Sequence, residues 1–351
     1  MSRLSQTLVS HCVAFLITST LIGGMQTLLV AEEQRKDAAA ILTKAAGLVD
    51  LQTQGATPFL MLANVVLHEG NKSVEGVFAM TWAAPGQYRR VYRFSTFTST
   101  EVVTQGAIYR ERSTKALPLA IWELDQLLAL ASNYRPSPGL KVSHIQGARS
   151  GDTELTCVTV QSSVTNASSV TRSSSVTTSN LCVNAVTGYP FSIDQGSDVR
   201  DLDRHERFEF SDYQPFEGRT FPRKLTFRGW GTLSVEVQVQ KLVRVQSFRD
   251  DEFKPSPAAT MTSFCESPET AGEVRGSAPG TIPIGFQDVE VDMYFQVSPE
   301  GGVRYAQVVH SSDPVHNKEI LNWFIGMPFP VKTCSGKPIA YETMVRFKTG
   351  H

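Results

Sequence analysis

The chain is short of charge, and the charge it carries is balanced. Asp, Glu, Lys and Arg make up 19% of its 351 residues, and 33 basic against 34 acidic side chains leave a net charge of -1. Nucleic-acid binding needs a clustered cationic surplus to neutralise phosphates, and no run of Lys and Arg occurs. Long apolar runs are also scarce: residues 12–31 are the single stretch long enough to span a bilayer, which excludes a polytopic membrane protein. No Walker loop, no G-x-S-x-G elbow, no G-x-G-x-x-G after a strand and no C-x-x-C occurs. The run HERFE fails as H-E-x-x-H because Glu209 stands at its fifth position. Nothing in the sequence points to catalysis, and the chain is read as a non-enzyme that needs no cofactor.

What is present is enough for a folded, exported protein. Hydrophobic residues reach 41%, so a core can be buried, and at about 100 to 200 residues per domain the length suggests two domains. At the N-terminus Arg3 precedes the nearly uncharged run Cys12 to Ala31, which Glu32 and Glu33 end. A basic start, an apolar middle and a small residue before a polar boundary describe a secretory signal, with Ala31 the last residue before cleavage. The same segment is long enough to stay as an inner-membrane anchor. Both readings, for residues 1–31, put the rest of the chain in the periplasm, soluble or anchored.

Four cysteines remain beyond that segment, and an even number in an exported chain favours disulfides over metal. Cys157 and Cys182 lie in two β-rich runs joined by the Ser/Thr-rich stretch 161–180, read as a flexible hairpin tip, and pairing of those runs would bring the two sulfurs together. Cys265 and Cys334 are then left as the second pair, the alternative being two buried free thiols. Asp201, Asp203 and His205 alternate, so a strand would carry all three on one face, a geometry open to a metal; an Asp-rich connection is the commoner use of such a run. No metal site is assigned.

Alanines and leucines at helical spacing predict a helix over 37–50, and Ala116 to Ala131 reads as a second, apolar on nearly every side except at Glu123, Asp125 and Gln126. Between and after them, alternating runs bounded by Gly and Pro predict strands from Phe59 to Val245. Pro, Ser, Glu and Gly dominate 248–280, which is read as a linker between a domain at 37–247 and a smaller one at 281–351. The latter reads as ββαβ, its first two strands joined by the SPEGG turn.

Residues 285–350 resemble the C-terminal domain of TonB-type energy transducers. The features that carry the resemblance are a strand ending in V-S-P-E-G-G, a second ending in H-S-S-D, a helix ending in W-F-I-G-M-P-F-P, and G-K-P-I before a last alternating strand. The long Pro-Lys and Pro-Glu spacer of that family is absent. Residues 37–245 resemble, more loosely, the LolA/LolB-type periplasmic lipoprotein carriers, through the opening helix and the runs GVFAMTWAAPGQYRRVYR, TQGAIYR and FSDYQPFEGRTFPRKLTF. These resemblances imply an α+β protein: an N-terminal curved antiparallel sheet, an incomplete LolA-like barrel with helices, plus a small C-terminal ββαβ TonB-like domain.

Two sites follow. The TonB-type resemblance makes the last strand, Tyr341, Glu342, Thr343, Met344, Val345, Arg346 and Phe347, the edge on which an outer-membrane transporter or other envelope protein would add an extended peptide. Tyr341, Thr343, Val345 and Phe347 would share one face, with Glu342, Met344 and Arg346 on the other. The LolA-type resemblance makes Trp82, Phe94, Trp122 and Leu127 the lining of an apolar cavity for lipid or lipoprotein acyl chains, although such residues are also what an ordinary core contains. The function expected is transport-associated docking with a lipid-binding domain; the alternative is a lipid or lipoprotein carrier in which the terminal domain is only an interaction module.

Overall fold

A computed structural model describes residues 36–132, 141–165, 174–196, 206–229, 232–266, 268–271 and 289–348. Residues 1–31, with their signal or anchor reading, and Asp201, Asp203 and His205 lie outside the described residues.

Helix α1 spans 36–49 and is followed by five strands: β1 (Phe59–Glu69), β2 (Lys72–Ala84), β3 (Gln87–Phe94), β4 (Thr98–Thr104) and β5 (Ala107–Arg112). Helix α2 (Leu119–Ser132) intervenes. Seven more strands follow: β6 (Lys141–Ser150), β7 (Thr153–Thr165), β8 (Ser174–Asn184), β9 (Pro190–Gly196), β10 (Glu206–Phe216), β11 (Arg219–Arg228) and β12 (Ser234–Arg244). With β13 (Thr260–Ser263) they form one thirteen-stranded sheet in the order β13-β5-β4-β3-β2-β1-β12-β11-β10-β9-β8-β7-β6. Two meanders thus meet where β1 pairs with β12, and α2 is the crossover between their far edges.

The alternation written in the sequence orients this sheet. In β1, Phe59, Met61, Ala63, Val65 and Leu67 are buried while Asn64 between them is exposed; in β12, Val235, Val237 and Val239 are buried while Glu236 and Gln238 point out. A bulge at Leu62/Ala63 keeps the two apolar sets on one face despite the register shift. Phe59 stacks on Trp82 at 5.6 Å and meets Phe216 edge-on at 6.2 Å, joining the two meanders through ring contacts. Gly76, opposite Phe94, is needed where it stands, because a Cβ there would lie 2.6 Å from the Arg93 carbonyl oxygen and closer still to the Phe94 ring.

α2 lies across the middle of the apolar face, against β11, β12 and β1, with Leu124 and Leu127 fully buried. Its nearly all-round apolar surface therefore finds cover, as its composition requires.

The terminal segment adds β14 (Glu269–Ala271), β15 (Glu290–Val297), β16 (Val303–Ser311), a 3-10 turn (Pro314–His316), α3 (Asn317–Ile325), β17 (Val331–Cys334), β18 (Lys337–Ile339) and β19 (Tyr341–Lys348). They make two three-stranded sheets, β16-β15-β19 and β14-β17-β18. Val291, Met293, Phe295 and Val297 of β15 pack on Ile320 and Phe324 of α3. The SPEGG turn places Gly301 at φ 86°, with Phe329 donating its N–H to the Gly301 carbonyl at 3.1 Å; a side chain there would strike the Phe329 oxygen.

The α+β expectation is corrected. Nineteen strands among the described residues stand against three α-helices, and one antiparallel sheet of thirteen strands dominates. The small terminal ββαβ TonB-like domain is likewise not what forms, because the segment after α3 folds back as the β17–β18 hairpin and recruits β14 from the Pro/Ser-rich stretch. That stretch also supplies β13, which pairs with β5. The Ser/Thr-rich run 161–180 is strand up to Thr165 and again from Ser174, since β-branched Thr and Val favour a ladder whatever their polarity.

Candidate functional site

Cys157 and Cys182 are direct cross-strand partners on β7 and β8 and form a disulfide, as the hairpin reading requires. Cys265 and Cys334 form the second, tying the segment after β13 to β17. The terminal module is therefore held covalently at the rim of the large sheet.

The predicted cavity residues occupy the core. Trp82, Phe94 and Leu127 are buried in the main hydrophobic cluster, and Trp122 is half-buried against it. The space beside α2 is a pocket of about 50 Å³ that touches Met61, Phe78, Met80, Asp125 and Leu128. Drug-sized ligands need about 300–1,000 Å³, so this pocket is too small to hold one in this conformation. Closure is what physics asks of an empty apolar site: about 24 cal/mol per Å³ of void makes an unfilled 300 Å³ cavity cost about 7 kcal/mol.

The terminal module completes that closure. Tyr294 of β15 is fully buried in the main core, and Tyr305, Val309 and Met344 pack against it. On β19, Tyr341 and Val345 face the α3 cluster, while Met344 joins the main core and Glu342 and Arg346 reach groups of the large sheet and α2. β19 pairs with β15 alone among the described residues, so it is an edge by pairing, yet its side chains on both faces are engaged within the chain.

A polar seam runs along the contact. Asp125 of α2 accepts from the Tyr92 hydroxyl and lies 3.6 Å from Arg90; Arg90 lies 3.5 Å from Glu101; Arg110 donates to Glu101 at 2.9 Å and lies 3.9 Å from Glu342; Arg112 holds Glu342 through both terminal nitrogens at 3.1 and 3.0 Å. Three guanidinium groups thus alternate with three carboxylates from α2 to β19. Burial alone would push the Glu101 carboxyl up, but Arg90 and Arg110 outweigh it and hold the group below its usual range. At Asp125 burial wins, and its carboxyl is raised.

The second cluster is not balanced. Arg346 of β19 donates from Nε to Asp292 of β15 at 2.7 Å, pairs through Nη1 with Glu206 at the start of β10, and lies 3.5 Å from Glu123 of α2. Among the described residues three carboxylates share one guanidinium. Burial, and next the neighbouring Glu206, push the Glu123 carboxyl up to about 8, against the opposing pull of Arg346. Among the described residues no group of three His, Cys, Asp or Glu side chains is disposed to hold a metal ion, and no helix is long and apolar enough to cross a membrane.

Sequence reasoning singled out Glu123 and Asp125 only as polar positions of α2, and Glu342 and Arg346 only as members of the peptide-docking edge strand. Their partners escaped it because the contacts span 223 residues from Glu123 to Arg346 and 230 from Arg112 to Glu342.

No family model matches the chain, and no curated protein matches it in sequence. Solved structures do. An outer membrane lipoprotein-sorting protein domain from Vibrio parahaemolyticus is 9% identical, covers 64% of this chain and 97% of its own, and superposes with a TM-score of 0.39. A LolA superfamily protein from Nitrosomonas europaea is 10% identical over 61% of this chain and 96% of its own, at 0.38. A DUF1329 family protein from Desulfovibrio piger is 10% identical over 62% and 96%, at 0.43. Similarity at this level fixes neither family nor activity. The resemblance of the terminal segment to TonB-type transducers finds no support among these matches.

Proposed function

We propose that this is an exported periplasmic protein that takes an acyl chain of a lipid or lipoprotein into the concave side of its large sheet, with the terminal module as the element that closes over it and meets partner proteins. The observation that carries the reading is the construction of the interior: a long antiparallel sheet presents one continuous apolar face, and two of the elements covering it, α2 and the terminal module, are fastened by polar side-chain contacts as well as by apolar contact. Neither cover is joined to the large sheet by a strand ladder among the described residues, so these covers are the parts suited to lift. An acyl chain replaces their contacts at about 0.8 kcal/mol per buried CH₂.

The work is non-catalytic in this reading: the acids and bases of the seam are engaged with one another. The resemblance to lipoprotein carriers and the likeness to lipoprotein-sorting structures agree with it without carrying it. Docking of an extended peptide from an envelope partner on β19 is favoured by one fact, that the strand pairs on one side only among the described residues.

The test is direct. Protein purified without detergent is extracted with organic solvent and its acyl chains counted by mass spectrometry, before and after incubation with phospholipid vesicles. About one acyl ligand per chain is expected after incubation, and Glu342→Gln, which loosens the cover, should load faster. No acyl ligand in either protein would end the carrier reading.

A further inference from the structure

A second cavity, of about 400 Å³, opens where the rim of the large sheet meets the terminal module. Unlike the interior it is polar and carries charge of mainly one sign. Arg110, Arg112 and Lys115 enter it from β5 and the connection to α2, Arg304 enters from β16, and Glu342 is the one carboxylate in its wall. Four cations against one anion leave a surplus of three charges. Part of that surplus is spent locally, since Arg110 also holds Glu101 beyond the wall.

Lys115 and Arg304 have no carboxylate at ion-pair distance among the described residues. Both are exposed to the cavity mouth, and Lys115 is posed there with its ammonium 4.1 Å above the Tyr305 ring. Thr262 contributes a hydroxyl that already accepts from Arg110 at 3.2 Å. The cavity therefore offers two cations with no carboxylate at ion-pair distance among the described residues, Lys115 and Arg304, and a hydroxyl, within a volume typical of ligand sites.

We propose that this cavity binds a phosphate-bearing group. A phosphate monoester carries about -1.5 to -2 charges at neutral pH and presents three strong acceptor oxygens, enough to satisfy cations from two walls at once. A carboxylate, with one charge and two oxygens, would leave part of the surplus unmet. Charge-assisted bonds from Arg and Lys are the strong ones, and Arg offers several donors in a fixed plane. Because Lys115 belongs to the large sheet's side and Arg304 to the terminal module, a bound phosphate ties the two together. The group can come from a soluble phosphate monoester or from a lipid whose headgroup is a phosphate monoester.

The experiment uses the full chain at 0.15 M salt, where non-specific attraction is damped. Glycerol 1-phosphate is titrated by calorimetry, and phosphatidic acid vesicles, whose headgroup is a phosphate monoester, are tested by flotation against phosphatidylcholine vesicles. Three proteins are compared: the unaltered chain, the double variant Lys115→Gln/Arg304→Gln, and Arg149→Gln as an exposed cation elsewhere. Saturable glycerol phosphate binding, weakened at least tenfold in the double variant and unchanged in Arg149→Gln, is expected. Flotation with phosphatidic acid that the double variant loses assigns the source to lipid headgroups; calorimetric binding without flotation assigns it to soluble phosphates. No saturable binding at millimolar concentration overturns the proposal, as does binding that the double variant leaves intact or that Arg149→Gln weakens equally. The site does not depend on the carrier reading: an intact phosphate response in a protein that takes up no acyl chain would defeat that reading alone.

Discussion

Three carboxylates around Arg346 make the stability of this protein fall as pH rises through neutrality. Glu123 keeps its proton in the folded chain up to about pH 8, whereas unfolded it loses the proton near its ordinary value of 4.5. Between those values the folded state binds more protons than the unfolded one, so stability is highest below pH 4.5 for this group and declines to pH 8. A shift of 3.5 units at about 1.36 kcal/mol each sets a ceiling of about 5 kcal/mol on the loss, most of it complete by pH 8. Glu123→Gln removes the titrating group and keeps its size. The variant should match the unaltered chain near pH 5 and exceed it by a few kcal/mol at pH 8.5, a surface-independent gain since Glu123 is buried. Arg346→Met should cost about 3–5 kcal/mol at pH 7, because Asp292 and Glu206 lose their counter-charge in a buried place. Urea unfolding at half-unit steps from pH 5 to 9 measures all three proteins. If Glu123→Gln declines with pH in parallel with the unaltered chain, Glu123 does not hold the proton and the cluster has been misread.

Other outcomes follow from the packing. Replacing both Cys265 and Cys334 with Ala opens a loop of 69 residues, worth about 4 kcal/mol by loop-closure entropy, and should raise amide exchange in β15–β19 more than in β1–β12. Peptide mapping without reduction should recover the fragments of Cys157 and Cys182 linked, and recovery of both as free thiols would refute the pairing. Gly76→Ala should destabilise by about 1–3 kcal/mol through the Phe94 ring and the Arg93 carbonyl, seen as a lower urea midpoint. Leu127→Ala should cost about 2–5 kcal/mol, since the side chain is fully buried, and an unchanged midpoint would remove α2 from the core.

The strands were legible where one face is wet. Alternation marked the runs Phe59 to His68 and Ser73 to Ala83, each within a residue of β1 and β2, and Thr232 to Val245 around β12, because a half-buried strand must write its two faces into the sequence. The helices at 36–49 and Leu119–Ser132 were legible for the same reason at period 3.6. β13, β14, β17 and β18 were not, because strands of three or four residues carry too little pattern to read and are formed by the partners they meet. The fold class was misjudged on that account: the terminal segment looks like ββαβ until the short hairpin strands are counted. At the candidate site the sequence marked α2 and the last strand, and it missed Arg90, Glu101 and Arg112, which look like ordinary polar positions on alternating strands. Their meaning lies in contacts closed only when β19 folds over β5, and no local signal announces a partner 230 residues away.

The central claim is that the closed interior opens to an acyl chain, and quenching of tryptophan by brominated fatty acid tests it most directly. Trp122 on α2 and Trp82 on β2 border the interior, while Trp323 belongs to the separate core under α3. Heavy-atom quenching acts at contact, so it reports where the chain lies. The account predicts saturable quenching near one equivalent that Trp122→Phe and Trp82→Phe each reduce and Trp323→Phe leaves in place. Absence of saturable quenching, or quenching that persists unchanged in both interior variants, would contradict it.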